Sequence, residues 1–284
     1  MRLPLLPELP MSRLALWSWR FALFALTVVL LSIVVVRTGL LEVLPALATF
    51  GAALVFAALA VISALLAFVV IWRQGLPGLG RAVGGLLLGL LLLAYPGYLG
   101  VRAFKLPVIN DITTDAAHPP SFGALAKLRR PGTNSYPAKF AGLQEQAYPD
   151  IVPLELDAST RVAYNEALKL IEKRKWQVVD EMPPIGNRDG TIEAVARTTI
   201  MGFPDDVVVR VSDDGIGSRV DVRSAARYGI NDFGTNARRV MALLNDIDNA
   251  VSSARPETLV PLPETTALPK PKPKRKPARK PKTR

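Results

Sequence analysis

Three aspartates and a group of arginines are the side chains in this sequence whose type and spacing could do chemistry. Asp205 and Asp206 stand together where a strand is predicted to begin, and Asp221 lies in the next predicted strand. Carboxylate oxygens can hold Mg²⁺ or Ca²⁺, which would suit a hydrolase acting on an anionic substrate. Paired aspartates after a turn are also ordinary strand-start residues, and we favour that interpretation. We therefore expect no cofactor and keep the metal-dependent hydrolase as an alternative.

The arginines could instead form a binding surface. Side chains alternate between the two faces of a strand, so the charges of three predicted strands would share one face. Guanidinium groups match carboxylates and phosphates, which makes this face a candidate site for an anionic ligand. The alternative is a solvated face with cross-strand ion pairs. The face comprises Glu193, Arg197, Arg210, Arg219, Asp221 and Arg223. The candidate ligand-binding residues are Arg210, Arg219, Asp221, Arg223 and Arg227.

Missing residue types exclude several kinds of site. The chain has no cysteine and a single histidine, His118. Disulfides, zinc–thiolate sites, cysteine nucleophiles and multi-histidine metal sites are therefore excluded. His118 precedes two prolines in a predicted loop, and we do not expect it to be catalytic. The sequence also has no glycine-rich phosphate loop or nucleophile elbow. We expect a non-catalytic role.

The elements that must position these side chains form an α+β domain over residues 154–252. A helix capped by Asp157 or Ser159 is predicted to run to about Arg174, with its apolar residues on one side. Turn sequences then separate four antiparallel strands, and a final helix has apolar residues every three or four positions. This order predicts two layers, with both helices on one face of a four-stranded sheet. The strands are Trp176–Asp180, Thr191–Thr199, Val207–Ser212 and Ser218–Ser224, and the last helix is Phe233–Val251.

Two segments of different composition flank this domain. Residues 106–153 contain several prolines, and we expect an extended segment packed on the domain. Residues 253–284 are rich in lysine and proline and are expected to be disordered. This tail could contact anionic lipid or cell-wall polymer outside the cell, or acidic lipid or nucleic acid inside it; alternatively it has no dedicated partner. Its candidate contacts with an anionic surface are Lys270, Lys272, Lys274, Arg275 and Lys276.

Residues 1–105 read as a membrane anchor. Three apolar stretches, near residues 17–36, 43–71 and 82–101, approach or exceed the roughly 20 helical residues that cross a bilayer. A cleaved signal peptide is the alternative for the first stretch, but its candidate cleavage site, Ala46–Ala48, lies well beyond the apolar run. We therefore expect three transmembrane helices carrying one soluble domain, with the lipid bilayer as a partner.

The basic residues at the span ends predict the orientation. Cytoplasmic loops carry more lysine and arginine than loops on the other side. Five such residues lie on the N-terminal side and three on the other. This difference favours a bacterial inner-membrane protein with a cytoplasmic N-terminus and a domain in the periplasm. A domain facing the cytoplasm, with a tail that binds nucleic acid or acidic lipid, is the alternative. The five are Arg2, Arg13, Arg20, Arg73 and Arg81, and the three are Arg37, Arg102 and Lys105.

Several sequence blocks occur together in one known family. They are Asn110–Asp115, Tyr148–Ile151, Ile192–Ala194, Gly202–Arg210, Ser218–Arg227 and Asn236–Arg239. Over about residues 107–250 the chain resembles domain of unknown function 1499 (DUF1499), a mainly bacterial family. The resemblance implies no particular activity. With the membrane anchor, we expect a binding or scaffolding role in the cell envelope. Its partners would be anionic envelope components or an envelope protein, with no specific nucleic acid.

Overall fold

A computed structural model describes residues 10–40 and 42–253 of the 284-residue chain. The predicted surface contacts of the tail, Lys270, Lys272, Lys274, Arg275 and Lys276, lie outside the described residues, so their role stays a prediction.

The described chain begins with three helices that are long and apolar enough to cross a membrane. They are α1 (Arg13–Thr38), α2 (Val43–Gln74) and α3 (Leu79–Lys105). Each is longer than its predicted span, because a helix can continue into the interfacial region where arginine and lysine side chains reach water. The three helices pack through fully buried alanines such as Ala57, Ala60 and Ala64 of α2, which allow close approach of the backbones.

The remaining described residues form an antiparallel sheet with three helices. The elements are β1 (Asp111–Thr113), α4 (Phe140–Ala147), β2 (Leu154–Leu156), α5 (Thr160–Lys173), β3 (Gln177–Met182), β4 (Gly190–Arg197), β5 (Pro204–Asp213), β6 (Ser218–Ala226) and α6 (Thr235–Ser253). The sheet order is β1-β6-β5-β4-β3, and β2 also pairs with β6. The α+β class, the four long strands and the two flanking helices agree with the sequence prediction.

The strand count was wrong, because the sheet has six strands rather than four. β1 and β2 lie in the proline-containing segment and at its end, and both pair with the outer edge of β6. With three residues each, they are too short to show an alternating pattern. They supply hydrogen-bond partners for a strand edge that would otherwise be unpaired.

Helices α5 and α6 cover one face of the sheet and enclose the main core. Ala163, Ala167 and Ile171 of α5 are buried against valines of the central strands. Of the two predicted caps of α5, Ser159 is the one used: its hydroxyl accepts a hydrogen bond from the Val162 N–H at 3.4 Å.

Much of the opposite face of the sheet is covered by chain rather than by solvent. Residues 120–129, which include a 3₁₀ helix at Leu125–Leu128, lie across it. Phe122 and Leu125 pack on Val195, Val208 and Ala225 in a second small core. We call residues 120–129 the roof. Its presence corrects the solvated-face interpretation, because the buried second face comes from a segment distant in sequence.

The soluble domain contacts the ends of the N-terminal helices through the β4–β5 loop. Nη1 of Arg37, at the end of α1, donates hydrogen bonds to the carbonyl oxygens of Thr199 (2.7 Å) and Ile200 (2.9 Å). Met201 is buried in a cluster with Val36 and Ala46. The domain therefore sits at the end of the helical anchor where α1 and α3 finish and α2 begins.

Candidate functional site

The strand register places the predicted charged residues on a single face. Arg210 pairs with Asp221, and Val208 lies between Glu193 and Arg223 on the neighbouring strands. Residues directly opposite each other in a sheet share a face. The alternation of the sequence predicted this face well, but the roof covers much of it.

Each of the three guanidinium nitrogens of Arg223 donates to a partner inside the protein. Its Nε and Nη2 donate to the two carboxylate oxygens of Asp111 at 3.0 and 2.8 Å, and its Nη1 donates to the Pro120 carbonyl at 3.1 Å. Its guanidinium carbon lies 4.4 Å from the centre of the Phe122 ring. Both Asp111 and Arg223 are buried. This pair joins β1 to β6 beneath the roof, and the burial of Arg223 leaves no exposed surface of its guanidinium for a ligand to approach.

Arg210 and Arg219 share the carboxylate of Asp221. Arg210 Nη2 donates to it at 2.9 Å, Arg219 Nε at 3.2 Å, and the Thr114 hydroxyl at 3.0 Å. Arg219 Nη2 also donates to Asp115 at 2.8 Å. Asp221 is buried, while the two arginines are partly exposed at the rim of the face. An anionic ligand here would have to compete with carboxylates that are already bound.

Partial burial would raise the pKa of Asp115, but the pKa is lowered overall. The opposing causes are N–H groups of His118 and Ala117, which donate to its carboxylate, and the positive charge of Arg219. His118 itself is exposed in this turn. Asp115 therefore stays ionised well into the acid range and holds the loop against Arg219.

Asp206 lies at the centre of a second ion-pair group. Arg129 of the roof donates to it at 2.8 Å, and Arg227 donates at 2.6 and 2.9 Å. Asp206 is fully buried. Arg129, like Asp111 and Asp115, was missed by sequence reasoning, because about eighty or more residues separate each of them from its partner and no local spacing signals the contact.

The three aspartates proposed to bind a metal do not converge. Asp205 and Asp206 are neighbours on β5 and therefore point to opposite faces of the sheet. Asp205 faces α6, where Arg239 Nη2 donates to it at 2.6 Å, and Asp221 is held by the arginines described above. Among residues 10–40 and 42–253, no three or more histidine, cysteine, aspartate or glutamate side chains are grouped so that they could hold a metal ion.

A mainly apolar cavity lies between α2 and the soluble domain. Its volume is about 420 Å³, within the range of about 300–1,000 Å³ typical of small-molecule sites. We call it the junction cavity. Its walls come from the first turns of α2, the β4–β5 loop and the segment between β6 and α6. Lining side chains include Val43, Leu44, Leu47, Phe203, Tyr228 and Phe233.

Two carboxylates give the junction cavity its polar part. Asp205 and Asp232 both line it, and burial raises the pKa of each. Asp232 caps α6, since its oxygens accept hydrogen bonds from the N–H groups of Gly234 (2.9 Å) and Asn236 (2.7 Å). An apolar cavity with a few convergent polar groups of shifted pKa has the features of a binding site.

A smaller polar cavity of about 320 Å³ adjoins the junction cavity. We call it the basic cavity. Arg129, Arg130 and Arg227 line it, and the guanidinium carbon of Arg130 lies 5.7 Å from the centre of the Tyr228 ring. The two cavities share three lining residues, Ala226, Gly229 and Ile230. The segment after β6 therefore separates an apolar space from a cationic one.

A third cavity, of about 390 Å³, lies between α5 and the β3–β4 connection. Tyr164 lines it, and the buried Tyr164 hydroxyl has no hydrogen-bond partner among the described residues. Burial, together with the nearby charges of Glu181 and Asp180, raises the pKa of Tyr164 to about 12. The hydroxyl is therefore neutral at physiological pH.

The matched family covers the soluble domain from β1 into α6. Residues 111–247 match the family model described as protein of unknown function (DUF1499). The soluble part of this chain is therefore a DUF1499 domain. The match includes all six strands and the roof and leaves out α1–α3, in agreement with the resemblance drawn from the sequence. No curated relative matches the chain. The DUF1499 description carries no activity.

Proposed function

We propose that this protein is a multi-pass inner-membrane protein that displays a non-catalytic DUF1499 domain at the periplasmic face. The domain has a binding or scaffolding role in the envelope, and it binds an apolar ligand at this face. The junction cavity carries this proposal. It is the site where the domain meets the candidate spans, and one wall belongs to a helix apolar enough to lie in lipid. A ligand bound there would contact the membrane anchor and the domain together.

The internal partners of the buried carboxylates support a binding role rather than catalysis. The five buried carboxylates among the described residues all have internal partners: arginines hold Asp111, Asp205, Asp206 and Asp221, and backbone N–H groups of the roof hold Glu193. A general base needs a carboxylate that can reach a substrate proton. Carboxylates enclosed by arginines and N–H groups suit a structural role better.

Charge distribution supports the periplasmic placement. Five basic residues flank the predicted spans on the N-terminal side and three flank them on the domain side, and an odd number of crossings separates the N-terminus from the domain. Fusions to the C-terminus of the full chain test this orientation. We expect alkaline phosphatase to be active and a fluorescent protein that folds only in the cytoplasm to be dark. Fluorescence without phosphatase activity would contradict the placement.

Ligand binding in the junction cavity can be mapped directly. The full chain would be placed in lipid nanodiscs with a fatty acid that carries a photoreactive diazirine at the end of its chain. We expect crosslinks within residues 226–235 as well as in α2, because both line the cavity. Leu47→Trp should reduce the crosslinks in 226–235, whereas Leu66→Trp, at an exposed site in the C-terminal half of α2, should not. Labelling confined to α1–α3 would contradict binding at the junction.

A further inference from the structure

We propose that the ligand is an anionic phospholipid, with a hydrocarbon chain in the junction cavity and its phosphate against the basic cavity. This inference rests on the proposed function and adds the chemical class of the ligand. It comes from the adjacency of the two cavities, which share Ala226, Gly229 and Ile230. One space is mainly apolar, with Asp205 and Asp232 as its polar part, and the other has three arginines and Asp111 in its wall. A molecule with an apolar and an anionic end can therefore occupy them together.

The apolar end of the site is continuous with the lipid-facing surface of α2. Leu44 and Leu47 line the junction cavity and are 51% and 44% exposed. In a bilayer these side chains would face hydrocarbon at the beginning of the helix. An acyl chain can therefore enter the cavity along α2 without exposing apolar surface to water. This continuity favours a lipid over a water-soluble apolar molecule.

The cationic end has more positive charge than its internal partners neutralise. Arg129 and Arg227 share one carboxylate, Asp206. Arg130 lines the same cavity, is exposed, and makes no salt bridge with the acidic residues that the structure describes. Arg227 binds Asp206 through Nε and Nη2, so its Nη1 remains available for a ligand. Guanidinium groups with available donors are well suited to phosphate oxygens.

The backbone between the two cavities has room for a ligand to cross. Gly229 is exposed, its φ is +85°, and a Cβ placed there would meet only the Asn231 carbonyl oxygen, at 3.7 Å. No side chain therefore stands above this position. The Tyr228 ring lines the junction cavity and also lies beneath Arg130. It joins the apolar and cationic parts of the proposed site.

Native mass spectrometry of the detergent-solubilised full chain tests this proposal. It would be titrated separately with phosphatidylglycerol, phosphatidylcholine and inorganic phosphate. We expect phosphatidylglycerol to bind at least fivefold more tightly than phosphatidylcholine, because a basic residue near an anionic headgroup contributes about 1 kcal/mol. Arg130→Gln should remove most of this preference. Lys127→Gln, which removes an exposed charge outside both cavities, should leave it intact.

The variants of α2 distinguish a failure of the anionic headgroup from a failure of the apolar binding site. Leu47→Trp should weaken binding of both phospholipids, and Leu66→Trp should leave it unchanged. If both lipids bind equally but remain sensitive to Leu47→Trp, the anionic headgroup is overturned and the apolar site survives. If Leu47→Trp changes neither lipid, the junction cavity fails as a binding site and the proposed function fails with it. If inorganic phosphate binds through Arg130 while the phospholipids do not, the ligand is a free phosphate and the lipid proposal is overturned.

Discussion

At the scale of single residues, the arginines of the sheet act mainly inside the protein. Arg223 meets Asp111, Arg227 meets Asp206, and Arg210 meets Asp221. A buried guanidinium is tolerated only when carboxylates and carbonyls satisfy its donors. The arginine excess of the sequence therefore reflects long-range pairing as well as surface charge. Guanidinium nitrogens without a partner among the described residues lie at the edge of the face, on Arg130, Arg210, Arg219 and Arg227.

The Asp111–Arg223 pair predicts a strong asymmetry between single and double variants. Arg223→Met leaves Asp111 buried without its partner and should lower the free energy of opening by about 3–5 kcal/mol. Asp111→Leu combined with Arg223→Met removes both charges and should recover most of that loss. Native-state hydrogen exchange of β5 and β6 amides in the full chain measures the free energy of opening of the single and the double variant. A double variant as unstable as the single one would contradict this account.

The Tyr164 hydroxyl tests the opposite case, the removal of a buried polar group that has no partner. It is buried without a hydrogen-bond partner in the described chain, so removing it deletes a desolvated polar group at no cost in contacts. Tyr164→Phe should leave the free energy of opening unchanged or raise it. Hydrogen exchange of α5 and β4 amides is the measurement. A loss of more than about 1 kcal/mol would mean that the hydroxyl has a bound partner in solution.

Asp115 predicts a specific pH dependence. Its pKa is lower in the folded chain than its ordinary value of 3.8, so its ionised form stabilises the fold above about pH 4 and this contribution is lost as the pH falls through the lower, folded pKa. Asp115→Asn should lower the melting temperature at pH 7, and its difference from the wild type should shrink at pH 3. Equal differences at both pH values would show that the charge of Asp115 is not responsible.

At the scale of elements, local periodicity predicted the regular parts of the domain and missed the parts built from distant contacts. The alternation around Val220 and Val222 predicted β6 and its charged face, and the apolar spacing over Phe233–Val251 predicted α6, which the structure places at Thr235–Ser253. β1, β2 and the roof have no such signal, because prolines interrupt them and their partners lie far along the chain. The junction cavity was also missed, since it forms only where two separate units meet.

Glu193 controls how the roof is attached to the sheet. Its two carboxylate oxygens accept hydrogen bonds from the N–H groups of Gly123 (2.6 Å) and Leu125 (2.7 Å). Glu193→Ala should speed hydrogen exchange of residues 120–129 by exposing these donors, at a cost of about 1–3 kcal/mol for each. Glu155→Ala, at an exposed position on β2, is the control. Equal exchange in the two variants would contradict the attachment.

At the scale of the whole molecule, the domain is fixed to its anchor at a defined point. The β4–β5 loop meets the end of α1, while the β5–β6 turn at Ile216 lies at the other end of β5, roughly 30 Å away. This arrangement places the junction cavity beside α2 and directs the opposite end of the sheet away from the helices. Placement of the domain in the periplasm would give lipids in the periplasmic leaflet of the inner membrane direct access to the cavity.

One disulfide measurement in living cells tests both the docking and the placement. A Cβ at Gly202 would lie 3.9 Å from the Arg37 Cβ, within the range that a disulfide spans, and the native chain contributes no competing cysteine. The φ of +73° at Gly202 strains any side chain there, at a cost of about 1–2 kcal/mol. Because disulfides form in the periplasm and not in the cytosol, Arg37→Cys combined with Gly202→Cys should be oxidised in growing bacteria without added oxidant. Arg37→Cys with Ile216→Cys should stay reduced. A first pair that stays reduced in cells but is joined by a membrane-permeant oxidant would contradict the placement, because the domain would then face the cytoplasm. The variant lacks the Arg37 hydrogen bonds but keeps the buried cluster of Val36, Ala46 and Met201. A pair that the oxidant does not join either would therefore contradict the docking on α1.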